Sequence, residues 1–386
     1  MTRLALRPPS LGLVACATIV LAALFARPSA QTPLLSTPDN PFKLATFESG
    51  GKVRLGMVLG TRVLDIDAAN QHVTTRAKLS SVPIPAEMRV LIEAYATVSP
   101  RLYQIANYFK TNSTAGLPFA FDAEKVAFHA PIKYPWNLLA AAANYKAHAE
   151  GMAGNAVPPA APAPSAPPAA SGFDATAAAR IVPDRDAPIM FAKSPRSCII
   201  DPGEPFYIVD GRARTDYEGE MVVVMGPRPA YRVPRERALD SVFGYSIMQD
   251  ISDRGSERLR EVSMFAGTNW FDGKSIDRGA PFGPVIVPKE FLPNAANLKI
   301  TTRVNGEVMQ DARTNQLIWD VPHLVAYLAS RMTLYPGDVI MTGTPAGTGA
   351  ERQKFLKPGD VVTVDIEGIG SLTTPFKALS ERPATR

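Results

Sequence analysis

Between residues 42 and 67 apolar and polar positions alternate, with Val53, Leu55, Met57 and Leu59 on one side and turn signals at Ser49-Gly50-Gly51 and Gly60-Thr61. Side chains of a strand point alternately to its two faces, so the stretch predicts a small strand-rich unit. Over 88–109 the period changes to that of an amphipathic helix, with an expected break at Ser99-Pro100, because proline disfavours helical geometry in the residue before it. Continuous apolar runs follow at 221–225 and 242–248. Asn305-Gly306, flanked by 299–303 and 308–310, is a hairpin signal. Asp320 and Pro322 open another helix, whose Leu324, Val325, Leu328 and Met332 share a face, and 361–366 is a closing strand.

Two segments stand outside this periodicity. Arg3 and Arg7 precede the apolar run 11–25, which is followed by Ala26, Arg27, Pro28, Ser29 and Ala30. A charged start, an apolar stretch too short for a comfortable membrane span and a small-residue exit predict a secretory signal peptide over 1–30, and hence export, to the periplasm. Leu13-Val14-Ala15-Cys16 superficially matches a lipoprotein box, although most of the apolar run lies beyond Cys16; an uncleaved anchor is the third alternative. The second segment, 151–186, is dominated by Ala and Pro, including AVPPAAPAPSAPPAASG, and reads as an enlarged, partly disordered lid.

Composition sets outer bounds. The 386 residues are 46% hydrophobic and 20% charged, enough for a large core and more than one domain: a small unit over 41–125 and a main domain over 126–380. The formal charge of +5 falls by three when the signal segment, with Arg3, Arg7 and Arg27 and no acid, is removed, which takes away the main argument for a nucleic-acid partner. Nothing beyond the signal segment suggests a membrane. Cys16 and Cys198 are the two cysteines; without the first there is no internal disulfide, and Cys198 beside Ile199 and Ile200 reads as core.

The candidate chemistry gathers between 215 and 284. Glu218 and Glu220 stand two apart just ahead of the run 221–225, so in an extended strand they share a face. Asp250, at the end of the run 242–248, meets them if the two strands are neighbours. Like charges about 4 Å apart repel by roughly 4 kcal/mol at an effective dielectric near 20, so three carboxylates together need a proton or a cation. Oxygen ligands without His or Cys favour Mg²⁺, Mn²⁺ or Ca²⁺ over zinc. The plainer alternative is a solvated strand edge.

The strings DYEGEM, GYSIMQDISDR, GKSIDRGAPFGPVIVP, VNGEVMQ and YPGDVIMTGTPAG, in that order, resemble the catalytic domain of the fumarylacetoacetate hydrolase family over residues 127–377. The resemblance implies an α+β fold, a mixed β-roll or β-sandwich preceded by the strand-rich unit, and one divalent metal, Mg²⁺ or Mn²⁺ with Ca²⁺ as alternative, on Glu218, Glu220 and Asp250. In NYKAHAE it makes His148 the general base. The family's glutamate partner falls three residues after that histidine, where this chain has Gly151; Glu150 stands one place early and is the candidate partner.

Further roles follow from the same resemblance. Lys193, in FAKSP, reaches a substrate carboxylate or is a surface lysine. Lys274, in GKSID, stabilises an enolate oxygen or caps a loop. Arg254 contacts an anion, within a motif where Gln249 and Asp253 depart from the family pattern. Thr344 bonds a substrate carboxylate; its turn, TGTPAG, lacks the G-K-[ST] of a phosphate loop. A homodimer is implied, and so is a small oxo-acid substrate. The implied reaction is metal-dependent hydrolysis of a carbon–carbon bond in a β-diketo acid of the fumarylacetoacetate or acylpyruvate type. Decarboxylation or enol–keto tautomerisation of a 2-oxo acid is the alternative on the same scaffold, and a non-catalytic secreted binding protein is the alternative of another class.

Overall fold

The alternating stretch at the amino terminus forms three antiparallel strands, β1 (Lys43–Ser49), β2 (Lys52–Leu59) and β3 (Arg62–Asp65). Gly50 and Gly51 both take positive φ in the first turn, as a tight hairpin requires. The computed structural model describes residues 34–154, 180–255 and 270–384, which fall in one compact unit beginning at Leu34. The signal segment 1–30 and most of the Ala/Pro-rich stretch, 155–179, lie outside the described residues.

Three helices follow, α1 (Ile66–Arg76), α2 (Met88–Glu93) and α3 (Tyr95–Thr111). The break expected at Ser99-Pro100 is not there. It falls at Ala94, and α3 runs through Pro100. An interior proline costs about 3 kcal/mol, but α3 buries Val98, Leu102, Ile105, Ala106 and Phe109 on one face, and each large apolar side chain contributes roughly 1.5–3 kcal/mol. Packing outweighs the lost hydrogen bond.

The chain continues through β4 (Ala120–Asp122), β5 (Ala127–His129), β6 (Leu138–Ala142), α4 (Lys146–Gly154), β7 (Ile189–Ala192), α5 (Pro195–Cys198), β8 (Ile199–Ile200) and β9 (Phe206–Ile208). The central segment supplies β10 (Thr215–Asp216), β11 (Gly219–Met225), β12 (Val242–Gln249), β13 (Ser252–Asp253), α6 (Trp270–Lys274), β14 (Ala280–Pro281) and β15 (Val285–Pro288). Last come β16 (Lys299–Val304), β17 (Glu307–Arg313), α7 (Val321–Arg331), β18 (Val339–Met341), α8 (Gly349–Arg352), β19 (Val361–Ile366) and β20 (Gly370–Ala378). The β16–β17 turn is Asn305-Gly306, both at positive φ, and Asp320 caps α7 by accepting the His323 N–H at 3.0 Å. Among the described residues no helix is long and apolar enough to cross a membrane.

The large sheet runs β4-β3-β2-β1-β15-β12-β11-β18-β6-β7, with β5 on β1, and a second sheet runs β17-β16-β19-β20-β9. The β18–β6 pair is parallel and its neighbours in the large sheet are antiparallel, so the fold is mixed α+β. β1 pairs with β15, Leu44 opposite Ile286, so the amino-terminal strands continue the large sheet. The run 221–225 is unbroken in apolar character because β11 is covered on both sides. Val222 and Val224 pack into one core with Leu44, Met57 and Phe282; Met221, Val223 and Met225 pack into another with Ile300, Val364 and Leu372 of the second sheet.

Candidate active site

β11 and β12 pair with Glu220 opposite Met248 and Gly219 opposite Gln249. One step further, Glu218 lies opposite Asp250, whose N–H donates to the Glu218 carbonyl at 2.9 Å. Strand alternation therefore turns Glu218 and Glu220 to one face, and the register brings Asp250 beside them. All three are buried, and one carboxylate oxygen from each lies within 4.8 Å of the others.

Cations already meet two of the three. Lys274 Nζ donates to Glu218 Oε2 at 2.7 Å and to Asp250 Oδ2 at 2.6 Å; Lys193 Nζ donates to Asp250 Oδ1 at 2.5 Å. Arg254 bonds Asp216 at 2.8 Å through Nε and Glu218 through Nη2. Burial alone would raise the Glu218 carboxyl, but Lys274 and then Arg254 hold it well below the usual carboxylate range. Burial works against the Lys274 ammonium too, and Asp250 with Glu218 reverses that, raising it above its ordinary value.

Glu220 has the opposite balance. Its described hydrogen-bond partner is the Gly343 N–H, 2.5 Å from Oε2. Burial, followed by the charges of Asp250 and Glu218, pushes its carboxyl well above the ordinary range. This donor set fits a hard divalent cation: three buried oxygens, no sulfur or imidazole, and one acid whose charge calls for a positive neighbour.

His148 sits on α4, 4% exposed, close enough to Glu218 that a proton gained by its ring would lower that carboxyl. The expected partnership with Glu150 does not form. Residues two apart on a helix face different ways, and Glu150 turns outward, 3.9 Å from Lys146. Glu351 takes the place instead: its Oε1 lies 2.7 Å from His148 Nδ1, and its Oε2 accepts the Thr348 N–H at 2.9 Å and the Gly347 N–H. At Gly151, where the family pattern has its glutamate, an added Cβ would lie 2.7 Å from Glu351 Oε1. The glycine leaves room for the carboxylate that replaces the missing side chain.

The remaining candidates are placed as follows. Lys193 is no surface lysine; it is 2% exposed and held by Asp250 and the Ile251 carbonyl. Lys274 joins two of the acids rather than capping a loop. The Thr344 hydroxyl, expected to bond a substrate carboxylate, is already engaged: it donates to the Gly219 carbonyl at 3.0 Å and accepts from Gln310 Nε2 at 2.8 Å, so it braces the turn that carries Gly343. Arg254 is committed to Asp216 and Glu218. Asp253 bonds Arg212 and the Gly255 N–H instead of joining the acid cluster.

Sequence reasoning missed two residues. Glu351 announced itself only as the last position of a capping box, Thr348-Gly349-Ala350-Glu351, which caps α8 as such boxes do. Asp216 opens DYEGEM; it accepts the Gly349 and Ala350 N–H groups and pairs with Arg254, tying the start of α8 to the cluster.

The chain is similar to known proteins in sequence and in fold. Over 161 residues the chain is 44% identical to an uncharacterized protein of Staphylococcus aureus strain USA300, a match covering 41% of this chain and 51% of that one. The chain thus spans about half the length of the curated relatives it matches. Among solved structures it is similar to a fumarylacetoacetate hydrolase from the psychrophilic Exiguobacterium antarcticum, with 28% identity, a TM-score of 0.59, and 87% of this chain and 99% of that chain covered. It is also similar to a 5-carboxymethyl-2-hydroxymuconate delta-isomerase from Mycobacterium smegmatis, with 26% identity, a TM-score of 0.57, and 87% and 98% covered. It shares its fold with a maleylpyruvate hydrolase from Sphingobium sp. SYK-6 in complex with manganese (II) ion and pyruvate, at 24% identity and a TM-score of 0.58, with 87% and 99% covered. Residues 137–377 match the family described as fumarylacetoacetate (FAA) hydrolase, C-terminal, and the chain belongs to that family of enzymes.

Proposed function

We propose that this protein is a metal-dependent hydrolase that cleaves a carbon–carbon bond in a small β-diketo acid of the acylpyruvate type. The observation that carries the reading is the buried His148–Glu351 pair beside a three-carboxylate cluster. A tautomerase or decarboxylase working through an enolate needs no activated water; an oriented histidine next to the cluster is what hydrolysis adds.

The roles follow from the contacts. A carboxylate only accepts, so Glu351 fixes the proton on Nδ1 and leaves Nε2 of neutral His148 free as a base. Nε2 takes a proton from water, and the resulting hydroxide adds to the substrate carbonyl. The carbon–carbon bond then breaks, its electrons passing to the 2-oxo acid fragment as an enolate. Lys274, released from Glu218 or Asp250, stands ready to meet that negative oxygen, and His148 returns the proton to carbon. A divalent cation, Mg²⁺ or Mn²⁺, held by Glu218, Glu220 and Asp250 would polarise the substrate's oxygens and balance the charge that develops there. Export through residues 1–30 and assembly as a homodimer are parts of the same proposal.

A panel of acylpyruvates and oxaloacetate, incubated with the protein and added Mg²⁺ or Mn²⁺, tests the reading by product identification. A carboxylic acid plus pyruvate supports it. Carbon dioxide, or an isomer of unchanged mass, replaces it with the decarboxylase or tautomerase.

A further inference from the structure

The mechanism above leaves the buried hydroxyl of Tyr145 unused. Strand β6 ends at Ala142, Ala143 adopts a positive φ of 49°, and the Asn144 side chain then clamps the chain. Its Nδ2 donates to the carbonyls of Trp319 and Thr342, each at 2.8 Å, and its Oδ1 accepts the Trp319 N–H at 2.8 Å. Asn144 presses on the turn that holds Glu220: a Cβ at Gly343 would lie 2.6 Å from the Asn144 Cβ, and the Gly343 N–H is the Glu220 donor. The next residue, Tyr145, is therefore fixed beside that turn, three positions before His148.

Tyr145 is 2% exposed, and its hydroxyl is fully buried with no hydrogen-bond partner among the described residues. A buried hydroxyl without a partner is costly, and phenylalanine would fill the same space without that cost. Burial, and secondly the charge of Glu220, hold the phenol above its ordinary range, so it keeps its proton and acts as a donor. A donor that nothing among the described residues accepts, beside the turn that holds a candidate metal ligand, is arranged for an acceptor that arrives with the ligand.

We propose that the Tyr145 hydroxyl recognises the substrate, donating its hydrogen bond to an oxygen of the oxo acid held at the Glu218, Glu220 and Asp250 cluster. This rests on the metal-dependent reading given above. It makes Tyr145 a substrate-binding residue that is not itself a metal ligand, so its loss weakens the anion and leaves the cation alone.

Calorimetry on the full chain tests this with two probes, Mg²⁺ alone and then oxalate, a planar dianion standing in for the enolate, added to Mg²⁺-saturated protein. For Tyr145→Phe the Mg²⁺ dissociation constant stays within about twofold of wild type, while oxalate binds about 5- to 10-fold more weakly, the worth of one net hydrogen bond. Melting without oxalate is unchanged or raised, since an unpaired buried hydroxyl has gone, and the rise in melting temperature on adding oxalate is smaller than in wild type. Oxalate affinity equal to wild type overturns the inference alone, as does a lowered melting temperature with Mg²⁺ and oxalate weakened in proportion, which marks a packing role. Wild-type protein that binds neither probe overturns the metal-dependent reading and this inference with it.

Discussion

His148 Nδ1 lies 2.7 Å from Oε1 of Glu351, a residue 203 positions later in the chain. The contact joins α4, after the first parallel strand of the large sheet, to α8, after the turn that holds Glu220. Glu351→Gln keeps the size of the side chain but allows its amide to meet Nδ1 as a donor, which favours the wrong tautomer. The expected outcome is a fall in kcat of roughly 10² to 10⁴, as for loss of a positioned base or its orienting carboxylate, with Mg²⁺ affinity unchanged. Wild-type turnover in this variant would remove the dyad from the mechanism.

Glu220→Gln should act on the cation. It removes a candidate ligand and the acid of the cluster that, among the described residues, has no hydrogen-bonded lysine or arginine, so Mn²⁺ affinity should fall by more than about 100-fold. The apo protein should melt no lower than wild type, because the buried carboxyl carries a penalty from burial and from Asp250 and Glu218 that the amide avoids. Calorimetric titration with Mn²⁺ alongside thermal melting checks both halves; unchanged metal affinity would move the site elsewhere.

How far the site could be read from sequence depends on where its contacts lie. Glu218 and Glu220 were legible because strand alternation is local, and Asp250 because the strand neighbouring β11 is the next long one in the chain. The Asn305-Gly306 hairpin was legible for the same reason. Glu351 was not: its encounter with His148 depends on β18 lying between β11 and β6, a matter of sheet order that no window of sequence carries. Pro100 misled because the rule it breaks is local, whereas the face it keeps buried is held by tertiary packing. Thr344 and Arg254 carried the family's residue types, yet the sequence could not show that their polar groups were already engaged by Gly219, Gln310, Asp216 and Glu218.

Asp201 provides a pH test away from the site. Its carboxylate meets Lys133 at 2.7 Å, the Ala130 N–H at 2.8 Å and His129 Nδ1 at 2.8 Å, tying β5 to the loop after β8. Burial opposes ionisation, but Lys133, the Ala130 N–H and His129 overcome it and hold the carboxyl below its ordinary value. A folded-state pKa below the unfolded one contributes stability that is present above the unfolded value, about 3.9, and lost as pH falls through the folded value. Asp201→Asn should cost about 1–2 kcal/mol at pH 7, and the gap from wild type should narrow below about pH 4 in urea unfolding series. A gap that is constant from pH 7 to 3 would contradict the assignment.

We propose that the exported protein starts between residues 27 and 33, following the small-residue exit of the signal segment. Intact mass of the protein recovered from outside the cytoplasm measures this. A soluble cytoplasmic pool that retains Met1 would count against export.

The central claim is that His148, oriented by Glu351, delivers water to a carbonyl beside a carboxylate-bound cation. Turnover of an acylpyruvate in H₂¹⁸O with Mn²⁺ present tests it at the bond that forms. The account predicts one solvent oxygen in the carboxylate of the released acyl fragment, with His148→Ala slowing its appearance by roughly 10² to 10⁴. Products that carry no solvent oxygen in that carboxylate, or full incorporation at the wild-type rate in His148→Ala, would contradict it.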